Sequence, residues 1–114
     1  MNYLNRTLII VRPTIEFVNW VNSVDQTAED EVTLEDVHMD LSTFLIPEVA
    51  DDDEFEVYLY NCYEVIFEDA LAGWYDDPSV WPEITYDRFL EWFDIDMSTM
   101  IADLTDEPII LEEI

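Results

Sequence analysis

The chain has 114 residues, of which twenty-nine are Asp or Glu and three are Arg, with no Lys, giving a formal net charge of −26 on a composition that is 50% hydrophobic. Disordered chains pair high charge with low hydrophobicity, so this composition excludes that class, and its sign opposes direct binding to the anionic surfaces of membranes and nucleic acids. Solubility alone asks for a net charge of only about 2–8 in a small domain, so the excess of acid has another cause.

Six Phe, six Tyr and four Trp, with a good supply of Ile, Leu and Val, are enough for a packed core. The length suits one domain spanning residues 1–114. The single Cys62 excludes an internal disulfide, and its apolar helical surroundings suggest a buried, inert thiol. Met1-Asn2-Tyr3-Leu4-Asn5-Arg6 lacks the apolar run of a signal peptide, and no stretch approaches the ~20 apolar residues of a membrane span, so a cytoplasmic location is expected.

In chain order, Thr7-Leu8-Ile9-Ile10-Val11 is a continuous apolar and β-branched run that predicts a buried strand ending at Arg12-Pro13. A helix should follow, with Pro13 in its first turn, Glu16 near its positive end and Ile15, Phe17, Val18, Trp20, Val21 and Val24 at spacings of three and four. The run from Asp25 to Glu31 has no apolar period and reads as a solvated loop. Thr33-Leu34-Glu35-Asp36-Val37 predicts a short helix capped by Thr33, and Thr43-Phe44-Leu45-Ile46-Pro47 a second strand. Asp51-Asp52-Asp53-Glu54 is an acidic cap for the longest helix, whose inner face is Phe55, Leu59, Cys62, Ile66 and Ala70, widened by Tyr58 and Val65. Gly73 stands where a left-handed residue would end it. After a connection holding Trp74, Tyr75 and Trp81, Thr85 caps a last helix with a stripe of Phe89, Phe93, Met97, Met100 or Ile101, and Leu104, stopped by Pro108. The apolar tail Ile109-Ile110-Leu111 suits either a short docked strand or an interaction segment. The order β-α-β-α-α predicts an α+β fold, a two- or three-stranded sheet covered by about three helices.

On the long helix Glu56, Glu64 and Glu68 share one ridge with Tyr60, and Asp87, Glu91 and Asp94 line up on the last one. Like charges at these spacings each cost a few tenths of a kcal/mol, so stability alone does not select the pattern. A compact domain of this mass exposes about 6,500 Å², or about one acid per 220 Å², against about one charge per 100 Å² on duplex DNA. Mimicry of nucleic acid therefore requires the acids to cluster. Trp74 and Trp81, beside Asp76 and Asp77, either plug the edge of the core or form a patch that grips an Arg side chain.

The chain has no Asp-x-Asp-x-Asp-Gly calcium loop, no Glu-x-x-His pair around the lone His38, and with one glycine no phosphate-cradling loop. Acids are so common that one beside His38 would carry no catalytic meaning. The expectation is a non-enzymatic binding or regulatory module without cofactor or metal, engaging a basic protein partner, with nucleic-acid-like charge mimicry as its extreme form. The expected contacts are Glu56, Glu64, Glu68, Asp87, Glu91 and Asp94, with Trp74 and Trp81 as anchors. Alternatives are a divalent-metal-dependent protein using helical carboxylates such as Glu64 with Glu68, and a solvated globule, or one adapted to high salt, whose charge has no specific role. A homo-oligomer that buries the tail also stays open.

Asn5-Arg6-x-Leu8-Ile9-Ile10-Val11-Arg12-Pro13, Phe17-x-x-Trp20, Leu45-Ile46-Pro47-Glu48, and Trp92-Phe93 through Met100-Ile101-Ala102-Asp103-Leu104 together resemble a family of small acidic bacterial proteins without assigned function. The likeness spans nearly the whole chain and implies a bacterial, cytoplasmic, single-domain protein. Several members carry His-Ser-Met where this chain has Ser98-Thr99-Met100, so no role for that histidine transfers, and the resemblance implies no activity, ligand or catalytic residue.

Overall fold

In the computed structural model, which describes residues 1–27 and 30–113, the apolar run of the first predicted strand becomes the centre of a sheet. That strand, β2 (Arg6–Pro13), pairs antiparallel with β3 (Ser42–Pro47) on one side and β4 (Phe93–Ser98) on the other. Side chains alternate across a strand, so Thr7, Ile9 and Val11 point inward, beside Ile46 and Phe44 of β3 and Met97, Ile95 and Phe93 of β4. The buried Thr7 hydroxyl accepts the Val49 amide at 3.2 Å, which satisfies the one polar side chain buried in this core among the described residues. A separate two-stranded ribbon pairs β1 (Asn2–Tyr3) with β5 (Ala102–Asp103).

Helices cover the inner face. From α1 (Ile15–Val24) come Phe17, Trp20 and Val21, and from α3 (Asp52–Ala72) Leu59, Ile66, Phe67 and Leu71. Phe89 joins them from α4 (Tyr86–Trp92), and Phe67 meets Phe93 edge to face at 5.3 Å. The one-turn helix α2 (Leu34–Val37) carries a full capping box: Thr33 Oγ1 accepts the Asp36 amide, and the Asp36 carboxylate accepts the Thr33 amide. Asp51 caps α3 by accepting the Glu54 amide at 2.8 Å, and Thr85 caps α4 by accepting that of Arg88.

The α+β class and the covered three-stranded sheet match expectation, and five details differ. Pro13 ends β2 and does not open a helix; Thr14 is the N-cap of α1, and its hydroxyl donates to the Glu91 carbonyl at 2.9 Å. Val65, expected to widen the inner face of the long helix, is 68% exposed, and Phe67 and Leu71 fill that role. Gly73 has φ −63° and ψ −23°, right-handed helical values, so its place after α3 involves no left-handed turn. The last helix stops at Trp92, and Phe93–Ser98 forms the third strand of the sheet. A spacing of four, as between Phe89, Phe93 and Met97, fits a strand as well as a helix, and the open edge of β2 decides for the strand. Leu104, assigned to the helix stripe, is 83% exposed. The expected loop over 25–31 is described at Asp25–Thr27, Asp30 and Glu31, while 28 and 29 lie outside the described residues.

Beyond Asp103 the chain forms no helix or strand over residues 104–113. This arm helps to explain an accessible surface of 8265 Å² and a radius of gyration of 16.0 Å. A globule of this mass would expose about 6,500 Å² and measure about 13 Å.

Candidate functional site

Most acids of α3 are exposed, and Asp52 and Glu56 border a depression shared with Phe93, Asp94, Ile95 and Met97 of β4. Glu56, Glu64 and Glu68 are all exposed, and Tyr60 between them is 59% exposed. Across the seam, Tyr86 of α4 meets Tyr60 at 5.2 Å and Tyr63 at 5.1 Å, both edge-on, so three tyrosines pack together at the surface. A shallow depression beside them is bordered by Asp53, Glu56, Val57 and Leu90, with Val57 60% and Leu90 46% exposed. Apolar and aromatic side chains thus sit beside the carboxylates of Asp53 and Glu56.

The field of those carboxylates registers on the tyrosines. Tyr86 holds its proton more tightly than its ordinary value of 10.0 implies, first because packing desolvates it and then because Glu56 opposes a second negative charge nearby. Tyr63 is raised by desolvation and then by Glu64 and Tyr60. No base offsets this field from α3, which carries seven acids and no Lys or Arg. On α4 the single Arg88 turns its guanidinium back to the Glu83 carbonyl. The other two arginines, Arg6 and Arg12, lie on the outer face of the sheet, where Arg12 pairs with Asp96. Arg88 keeps its charge on α4, so the anionic excess at the α3–α4 seam rests on the seven acids of α3.

The remaining expected contacts divide. Asp87 and Glu91 are exposed on α4, whereas Asp94 belongs to β4 opposite Arg12, so the predicted acidic ridge on one helix stops at Glu91. The paired-indole patch does not form. Trp81 packs against the core and donates its indole N–H to the Tyr75 carbonyl at 2.8 Å, which plugs the core edge. Asp77 is occupied too, its carboxyl held below the usual range by hydrogen bonds from Ser79, whose turn it caps. Trp74 is 42% exposed and edges a separate groove of about 360 Å³ with Asp40, Asp69 and Met39 over a floor that includes Phe17 and Ile66.

Tyr63 and Tyr86 are the site residues that sequence reasoning missed. The signal was present in Tyr60-x-x-Tyr63, which puts two rings on adjacent positions of one face, but Tyr86 reaches them only through tertiary packing. His38 donates its Nε2 proton to the Pro13 carbonyl at 2.7 Å, tying it to the end of β2. Burial pushes the Cys62 thiol above its ordinary 9.0, the reverse of what an activated nucleophile needs. Among the described residues no three His, Cys, Asp or Glu side chains converge into a group that could hold a metal ion. None of their helices is long and apolar enough to cross a membrane. Comparison with protein-family models, with curated proteins and with solved structures finds nothing that matches this chain.

Proposed function

We propose that the protein is an acidic binding or regulatory module that engages a positively charged protein surface through the α3–α4 seam. The observation that carries this reading is the surface cluster of Tyr60, Tyr63 and Tyr86 set among Glu56, Glu64 and Asp53. Binding hot spots have this anatomy, with aromatic anchors at the centre and a polar rim, and tyrosine faces with carboxylates beside them suit Arg and Lys. The resemblance to small acidic bacterial proteins suggests a bacterial cytoplasmic setting for the partner.

Charge density limits how far mimicry of nucleic acid extends. Twenty-nine acids over 8265 Å² average about one per 285 Å². A duplex presents about one per 100 Å², nearly three times as many. Competition with nucleic acid for a basic partner would thus rest on the local density of α3.

The test is capture from a bacterial lysate at low salt by the immobilised protein, run beside the triple variant Glu56→Gln, Tyr60→Ala, Glu64→Gln. The wild type should retain basic proteins that the variant loses and that moderate salt elutes. Identical capture by both, or none by the wild type, defeats the proposal. These three side chains are exposed, so the variant should keep its fold.

A further inference from the structure

We infer that the groove edged by Trp74 is a binding site for a small organic cation, an apolar body that carries an amine or guanidine group. The groove opens onto the covered side of the sheet, where Val11 of β2, Phe44 of β3 and Phe93 of β4 line it together with Phe17 of α1 and Ile66 of α3. Steps of three and four residues put Ala70 and Gly73 on the same face of α3 as Ile66, and both line the groove. Their small size leaves open the space that longer side chains would fill. The resulting volume of about 360 Å³ lies in the range of about 300–1,000 Å³ that small-ligand sites occupy.

Charge decides which ligand suits that shape. Asp36, Asp40 and Asp69 line the groove, and no Lys or Arg does. The Asp36 carboxylate is engaged by the Thr33 amide, whereas those of Asp40 and Asp69 make no hydrogen bond or ion pair with another described residue. The last turn of α3 ends at the groove without a base, so the negative end of its dipole adds to the two free carboxylates. Nearby positive charge is directed elsewhere. Arg12, between the lining residues Val11 and Pro13, points to the opposite face and pairs with Asp96, and His38 donates to the Pro13 carbonyl without lining the groove.

An anion is repelled here, and a bare metal ion gains nothing from an apolar floor; among the described residues no carboxylates converge to hold one. An organic cation uses both parts of the site. Its body leaves water against the floor while its charge meets Asp40 and Asp69, and the exposed faces of Trp74 and Met39 flank it with an aromatic ring and an adaptable thioether. The groove shares no lining residue with the depression at the α3–α4 seam, so this inference stands apart from the proposed protein contact.

Calorimetry on the full chain at physiological salt tests it, with phenethylamine as the probe, phenethyl alcohol as its neutral counterpart and methylamine as the charge without the body. The wild type should bind one equivalent of phenethylamine saturably and each of the other two about tenfold or more weakly. The variant Asp40→Asn, Asp69→Asn should weaken phenethylamine by about tenfold or more, and Trp74→Ala should weaken it as well. These side chains are exposed, so unchanged near-ultraviolet circular dichroism should accompany the loss in the aspartate variant. No saturable binding, equal binding of the alcohol or of methylamine, or undiminished binding by the aspartate variant overturns the inference. The seam variant Glu56→Gln, Tyr60→Ala, Glu64→Gln should bind phenethylamine as the wild type does, and a matching loss there would move the site to the seam and overturn it too. The aspartate variant leaves the seam intact, so capture of basic proteins reports separately on the protein contact.

Discussion

Replacing Gly73 by Ala is expected to stabilise the protein. Gly73 continues the geometry of α3 with φ −63° and ψ −23°, and its amide donates to the Asp69 carbonyl at 3.1 Å. A Cβ built there meets the Ala70 and Asp69 carbonyl oxygens at 3.5 Å, ordinary van der Waals contact. Neither conformation nor space requires a glycine, so alanine acts mainly by removing freedom from the unfolded chain, an effect of about 0.4–1 kcal/mol. With an unfolding entropy of about 2.1 cal/mol/K per residue, a chain of this length should gain about 2–4 °C in Tm. Thermal and urea unfolding followed by circular dichroism would read the change, and an unchanged m-value would place it in stability alone. A loss of about 1 kcal/mol would show that the residue turns left-handed in solution, as its position after a long helix suggests, and would refute the argument.

Phe67→Ala should cost about 3–5 kcal/mol in urea unfolding, because the ring is fully buried against Phe89, Trp92 and Phe93; a loss under about 1 kcal/mol would mean that this cluster is not the core. Tyr86, raised in the folded state, contributes stability that is fully present below its ordinary value of 10.0 and lost as pH rises through its folded value. Glu56→Gln should lower that folded value modestly, since desolvation is the larger cause and remains; phenolate absorbance during alkaline titration would show it, and no shift would separate Glu56 from the tyrosine cluster. Cys62 should react with a neutral alkylating reagent more slowly than a free thiol at neutral pH and reach the free-thiol rate on unfolding, whereas fast labelling of the native protein would contradict its half-buried setting.

Elements that one period determines were legible in the sequence. β2, α1, β3 and α3 each have a distinctive pattern, and the Thr33 cap followed from residue types, while the reciprocal bond between the Asp36 carboxylate and the Thr33 amide emerged only in the structure. The segment after Trp92 was not, because Phe89, Phe93 and Met97 satisfy both periods and only the vacant edge of β2 distinguishes them. The ribbon of Asn2–Tyr3 with Ala102–Asp103 is too short to leave a periodic trace. At the candidate site the acids of α3 were readable from spacings of four, but their aromatic centre was not, since Tyr86 approaches from another helix. Trp81 misled for the opposite reason: a loop aromatic carries no sign of whether it points in or out until its N–H finds the Tyr75 carbonyl.

Charge balance differs between the two faces of the fold. Arg6 and Arg12 lie on the outer sheet face, where Asp94 stands opposite Arg12 and Asp96 pairs with it, so acid and base are matched along β2 and β4. α3 carries seven acids and no base, and Arg88 on α4 keeps its positive charge while its guanidinium donates to the Glu83 carbonyl. The anionic excess beside the tyrosine cluster therefore comes from α3, and a basic partner that engages the cluster meets carboxylates that no arginine of that helix offsets.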